Sequence, residues 1–212
     1  DYARAWALMA LTQALGATFG KGAKDDGLVA ADRALALDPS SAEAHTAKAR
    51  VLMNLNSFEA AGSQIENALR LDPESSEINQ WAGLIRFVQG RPDDALAHWM
   101  KAAAPADASV WTLRMLAFIQ SFYPDREALR HTSQRMLTAA QDLLAVEPEN
   151  GMAMGAMAEG LVSLREIERA RETVRFGMLL DPDNIVMTFS FARAMARVPD
   201  FDAALDIFEY AV

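Results

Sequence analysis

Apolar residues in this chain recur at three- and four-residue spacing, run after run, with short polar or proline-containing breaks between the runs. That is the period of amphipathic helices, and no stretch carries the two-residue alternation of a strand. The segment Ala42 to Ser75 sets the pattern: two such runs, separated by Asn54-Leu55-Asn56-Ser57 and closed by Leu71-Asp72-Pro73. Leu37-Asp38-Pro39 stands 34 residues before that closing tripeptide, and Leu180-Asp181-Pro182 stands 34 residues after Val146-Glu147-Pro148. A fixed period in this range marks a solenoid of repeated supersecondary units.

Counting outward from 42–75 predicts an all-α chain of about six antiparallel helix pairs in a single array. The units are 2–41, 42–75, 76–107, 108–150, 151–184 and a truncated 185–212. The first pairs a helix over 2–16 with one over 24–37, joined by an extended, glycine-rich connector from Gly16 to Lys24. Asp38-Pro39 stops the second of these helices, because proline pushes the residue before it out of the α region. Ser40 and Glu43 then have the spacing of a capping box, and Pro92 suits the first turn of a helix. The unit 108–150 breaks the period, since 43 residues separate Pro105 from Pro148. Its surplus predicts longer helices, the second from about Asp125 to Val146, and a longer loop between them.

The small residues in these units carry a resemblance. Ala10, Ala49, Gly83, Ala158 and Ala192 recur in the first helices. Gly27, Ala61, Ala95, Ala170 and Ala204 recur early in the second helices, and Ala34, Ala68, Ala102, Gly177 and Ala211 late in them. With the closing prolines, this resembles the tetratricopeptide repeat at its eighth, twentieth, twenty-seventh and thirty-second places. Trp6 and Trp111 match its early large residue, whereas His45, Asn79 and Thr188 do not, and Met136 and Leu143 stand where small residues are expected. The resemblance implies a right-handed superhelix whose small side chains let helices approach closely. More loosely, phrases such as Tyr2-Ala3-Arg4-Ala5-Trp6 are similar to arrays attached to bacterial nucleotide cyclases or winged-helix regulators.

In the resembled family the first helix of each pair lines a concave groove through its second, fifth, ninth and twelfth residues. Carried over, these are Glu43, Thr46, Arg50 and Met53; Glu77, Gln80, Leu84 and Phe87; and Ser109, Thr112, Leu116 and Ile119. They continue as Met152, Gly155, Glu159 and Val162, then Val186, Phe189, Arg193 and Ala196. The expected groove is apolar at its middle, around Leu84, Phe87, Leu116 and Ile119, with Arg50 and Arg193 toward its ends. Lysine is absent from this face apart from Lys48, which argues against the grip on a terminal carboxylate seen in some arrays. An amphipathic helix or extended segment suits such a groove. The alternative is that Leu84, Phe87, Leu116 and Ile119 pack against neighbouring helices and leave it closed.

Composition narrows the chemistry. The apolar share of 51% leans on alanine and methionine, and the net charge of −9 disfavours nucleic acid and anionic membranes. The absence of cysteine excludes disulfides and thiol catalysis. No apolar run is long enough to span a bilayer. The chain begins without an initiator Met or signal peptide and ends inside a helical pattern, so it reads as an excised piece, which leaves the expected cytoplasmic location weakly determined. Its last apolar residues, Ile207, Phe208 and Val212, lack a polar capping helix and could self-associate or meet a partner.

Apparent catalytic features dissolve on inspection. Gly16 to Gly22 lacks the spacing, the Ser or Thr and the preceding strand of a phosphate-binding loop. His45, His98 and His131 lie on different pairs, none with a metal-ligand companion. Asp25-Asp26, Asp93-Asp94 and Asp181/Asp183 sit at helix starts and turns, where they favour the helix dipole. Arg165 and Arg169 share a face with Glu168 and Glu172, as an ion-paired solvated helix would. No catalytic residue, cofactor or metal is implied. The expected function is a non-catalytic module of a larger bacterial protein that binds a protein or peptide segment. The alternative is a regulatory sensor that holds a small molecule or signalling peptide, with the irregular unit 108–150 lining its pocket.

Overall fold

The computed structural model describes residues 2–18, 20, 22, 23 and 25–198, the side chains of 185 and 186 excepted. Among these residues every regular element is helical, and the fold class is the all-α helical-repeat solenoid. The chain divides into two compact units, Asp1–Pro105 and Ala106–Val212. The first holds α1 (Tyr2–Thr18), α2 (Leu28–Leu37), α3 (Ala42–Asn54), α4 (Phe58–Leu71), α5 (Ser76–Val88) and α6 (Pro92–Ala102). The second holds α7 (Val110–Gln120), α8 (Arg126–Val146), α9 (Gly151–Ser163), α10 (Ile167–Leu180) and α11 (Ile185–Met195). The second helix expected after Pro199, with Ala204, Ile207, Phe208, Ala211 and Val212, lies outside the described residues.

Most first helices start on a side-chain cap. Ser41, Ser75, Ser109, Asn150 and Asn184 each accept the backbone N–H three residues on, as does Asp125 at the start of α8. Each such cap stabilises its helix by about 1 kcal/mol. Ser41 therefore does what the sequence assigned to Ser40. Ser40 instead donates from its hydroxyl and its backbone N–H to the Asp38 carboxylate, and the Ser40–Glu43 box does not form. In α1 the helix runs through Gly16 to Thr18, whose hydroxyl bonds Ala14 O at 2.9 Å and Asn54 Oδ1 at 3.1 Å. The second helix begins at Leu28 rather than at 24, because Gly27 caps it in the left-handed region at φ 96°. A β-carbon there would lie 2.7 Å from Ala10 O, so glycine is what lets this turn approach α1.

Three intra-pair turns share one design. Asn56, Gly90 and Arg165 sit at φ 56°, 74° and 66°, and the next N–H in each turn bonds a carbonyl five residues back. Within the first unit the core is built largely on alanine: Ala7, Ala10, Ala31, Ala34, Ala44 and Ala47 in one cluster, Ala49, Ala61, Ala68 and Ala82 in the next. Small side chains at these places bring helix axes together, and a few isoleucines fill the remainder. A polar pair also repeats across the helices of a pair. His45 on α3 bonds Gln64 on α4 at 2.8 Å; one period later Asn79 on α5 bonds His98 on α6 at 2.9 Å. The imidazole and the amide have exchanged helices.

The irregular unit differs in one helix. Its first helix, α7, has only 11 residues, so the expectation that both helices lengthen is wrong; α8 takes the surplus with 21, against 14 in α4 and α10. Met136 is buried where a small residue is usual. The small residue has moved to the partner helix, since a β-carbon on Gly160 of α9 would lie 3.3 Å from Met136 Cε.

Candidate docking face and a buried ion network

In the first unit the expected groove residues lie on α3 and α5, which pack on one another. Thr46 is buried and returns its hydroxyl to Ala42 O at 2.8 Å. Arg50, Met53, Gln80, Leu84 and Phe87 are partly buried, and Glu43 and Glu77 stand at the margin of the face. The Arg50 guanidinium lies 4.3 Å over the Trp81 ring, a cation–π contact that fixes its direction. Burial lowers the Arg50 pKa from its ordinary value and the Glu77 carboxylate opposes that shift. Phe87 leans on the buried Trp99, ring centroids 6.2 Å apart and tilted by 46°. Trp99 is accommodated by Gly83, whose β-carbon would lie 2.9 Å from the indole. The face thus carries one oriented cation, one amide and three partly exposed apolar side chains.

The same repeat positions in the second unit make something else. Thr112, Leu116 and Ile119 are buried, as are Gly155 and Val162, so these positions form core and not an open wall. Gly155 is filled over by Ser190, 2.5 Å from where a β-carbon would stand. Glu159 is 6% exposed and is held by two guanidinium groups. Arg114 donates from Nε to both carboxylate oxygens at 3.2 Å and from Nη2 to Oε1 at 2.8 Å. Arg193 donates from Nη2 to the same oxygen at 2.6 Å and lies 5.6 Å from the Phe118 ring centroid. Arg114 also reaches Ser190 Oγ at 2.7 Å. One carboxylate therefore ties α7, α9 and α11 together. Phe189 is 60% exposed, and the side chain of Val186 lies outside the described residues. Sequence reasoning singled out Glu159 and Arg193 as separate groove residues and gave Arg114 no role.

The remaining candidates are structural. His45 is hydrogen-bonded to Gln64 and to the Pro39 carbonyl, His98 to Asn79, and His131 is exposed. No group of His, Asp and Glu able to hold a metal occurs among the described residues. Gly16 lies inside α1, and Lys21 and Lys24 of the glycine-rich connector lie outside the described residues. Asp94 pairs with Arg91 at 2.6 Å, and Asp181 accepts from Asn184. Arg165 does not share a helix face with Glu168 and Glu172, because it occupies the left-handed turn before α10; Arg169 pairs with Glu166 instead. No helix among the described residues is long and apolar enough to cross a membrane.

Comparison with known proteins agrees with this geometry. Residues 46–110 match the family model of the tetratricopeptide repeat. A TPR repeat-containing protein of Treponema pallidum (strain Nichols) is 28% identical over 168 residues, covering 76% of this chain and 20% of the relative. The chain thus spans about a fifth of that relative's length. Among solved structures, Pseudomonas aeruginosa pilF superposes with a TM-score of 0.65 at 18% identity, over 98% of this chain and 90% of that one. TTC0263, a TPR protein of Thermus thermophilus, gives 0.62 at 16% identity, over 90% and 99%. YrrB, described as a TPR protein with an unusual peptide-binding site, gives 0.56 at 16%, over 85% and 90%. At such identities the superpositions speak for the fold, which generally serves as a non-catalytic scaffold for protein–protein interaction. Repeat spacing, small-residue register and turn geometry converge with the family match over residues 46–110 on the tetratricopeptide-repeat fold.

Proposed function

We propose that this chain is a non-catalytic interaction module of a larger bacterial protein, and that α3 and α5 present the docking face for a peptide or protein segment. The observation that carries this reading is the side-by-side placement of Arg50, Met53, Gln80, Leu84 and Phe87, all partly exposed, on two neighbouring first helices. Apolar anchors beside one oriented guanidinium suit an amphipathic helix or an extended segment carrying an acidic residue. The peptide-binding site named for YrrB supports the mode of action, and the greater length of the Treponema relative supports a larger parent.

The test is selection of binders from a random peptide library against the 212-residue chain, followed by Phe87→Ala and Arg50→Ala. A central aromatic anchor typically contributes about 2 kcal/mol, so Phe87→Ala should weaken the selected peptides by about thirtyfold. Circular dichroism should show both variants folded. Full affinity in both would move the docking face elsewhere.

A second reading, a ligand-responsive regulatory module, is favoured by one observation. Three cavities of about 500, 570 and 600 Å³ in the second unit each take part of their wall from the long α8.

A further inference from the structure

Of those cavities, the one at the start of α8 has an unusual lining. Its volume is about 600 Å³, and its walls are Arg126, Leu129 and Arg130 of α8, Val162 to Arg165 at the end of α9, Ile167 of α10, and Arg197 just beyond α11. Four arginines, all exposed, meet there, and no carboxylate among the described residues lines the space. The chain as a whole carries a net charge of −9, so this is a local inversion of sign. None of the four has an ion pair among the described residues. The nearby buried carboxylate, Glu159, is already engaged by Arg114 and Arg193.

Arg165 adds a second observation. It holds φ 66° in a turn whose counterparts in the first unit carry Asn56 and Gly90, the residue types that accept this conformation readily. An arginine at that place costs backbone energy that asparagine or glycine would not, and the residue lines the cavity. Arg197 responds to the same surroundings. Although Arg197 is exposed, loss of hydration beside the cavity lowers its pKa from the ordinary value; Glu159 opposes this, and Arg193 and Arg126 push the same way. Four like charges held at one opening repel one another until an anion enters.

The geometry points to a binding site for a small organic phosphate, with its anionic group on Arg126, Arg130, Arg165 and Arg197 and its body against Leu129, Val162 and Ile167. Guanidinium forks match phosphate oxygens in paired, charge-assisted hydrogen bonds. The cavity is far larger than one phosphate group, and its apolar wall calls for a ligand with a body as well as a charge. Such a ligand gives the ligand-responsive reading, on which it rests, a definite chemistry. The site is independent of the docking face on α3 and α5, and it is read as binding alone, so absence of any regulatory effect leaves it standing.

Isothermal titration of the 212-residue chain with ADP and with pyrophosphate, at low and at high salt, tests it. Both should bind saturably, ADP more tightly because of its body, and both more weakly as salt rises. Arg126→Gln with Arg130→Gln should weaken both ligands by at least about tenfold, while Arg33→Gln on the exposed face of α2 should not. Arg165→Asn separates binding from folding: affinity should fall while the melting temperature holds or rises. No saturable binding of either ligand, or equal affinity in the double variant, would overturn the assignment. So would tighter binding of a glutamate-rich peptide than of ADP, which would make the arginines a protein-docking patch.

Discussion

The first-helix faces of the two units occupy equivalent repeat positions and have opposite characters. On α3 and α5 the ninth- and twelfth-place residues, Arg50, Met53, Leu84 and Phe87, remain partly exposed, and the one guanidinium rests on an aromatic ring. On α7 and α9 the corresponding Leu116, Ile119, Glu159 and Val162 are buried, and Glu159 is clamped between Arg114 and Arg193. A repeat position thus fixes the direction in which a side chain leaves its helix. Whether it meets solvent depends on what the neighbouring pairs bring to the same face. The first unit keeps its face as a surface, and the second uses it for cohesion.

The sharpest way to break this comparison is Glu159→Ala. Removing one partner of a buried ion pair costs about 3–5 kcal/mol, because the remaining charge stays desolvated. Arg114, nearly buried, would keep only Ser190. Hydrogen exchange should quicken in α7, α9 and α11 and change much less in α3 to α6. Replacing Arg114 and Glu159 together with methionine should recover much of the loss, since apolar replacement of the two buried members is often neutral and the remaining Arg193, 30% exposed, can turn to solvent. If the single variant were as stable as the parent, the network would be decoration and the second face could be as open as the first.

Glycine substitutions sharpen the comparison at smaller scale. A β-carbon on Gly83 would stand 2.9 Å from the Trp99 indole, whose ring is wholly buried and has nowhere to retreat. Gly83→Ala should therefore destabilise the first unit by about 1–3 kcal/mol, read as a shift in the denaturation midpoint. On Gly160 the closest atom would be the end of the Met136 side chain, at 3.3 Å, which can yield. Gly160→Ala should be neutral or stabilising by up to about 1 kcal/mol, through the entropy removed from the unfolded chain. Equal losses at both sites would show that the second unit is packed as rigidly as the first.

Much of the fold was legible because the repeat writes itself in residue size. Alanine and glycine at fixed places, with Asp-Pro closures, located the helix pairs to within a few residues. The failures have local causes. Ser40 and Ser41 offer the same hydroxyl, and only the backbone decides which one caps α3. The left-handed turn at Arg165 carries no glycine or asparagine to announce it. The network was nearly legible. Arg114, Glu159 and Arg193 are each the lone charged residue of an otherwise uncharged helix, α7, α9 and α11. Isolated charges on helices destined for burial must find each other or stay unpaired at high cost. Reading Glu159 and Arg193 one helix at a time, as groove positions, hid that complementarity. The cluster around Arg126, Arg130, Arg165 and Arg197 was less visible still, since it gathers residues from a helix start, a turn and a chain segment far apart in sequence.

The smallest expected effect concerns pH, and it separates the two kinds of polar contact. The first unit sets neutral pairs such as Asn79–His98 beside ion pairs such as Arg86–Glu66, whereas the second centres on the ions around Glu159. Burial lowers the His98 pKa from its ordinary value; Arg86 and Lys101 push the same way, Asp94 opposes them and Arg91 adds to the lowering. The folded state therefore holds fewer protons than the unfolded chain between the depressed value and the ordinary one near ~6.5. Stability from the neutral ring is fully present above that ordinary value and is lost as pH falls through the folded one. His98→Gln places an amide where Gln64 already serves in the preceding pair, so the contact to Asn79 can persist without a titrating group. Urea midpoints, followed by tryptophan fluorescence at about pH 7.5 and about pH 5.5, on either side of the ordinary imidazole value, should fall less on acidification in His98→Gln than in the parent. An equal fall in both would place the acid sensitivity outside this pair and remove one of the distinctions between the two units.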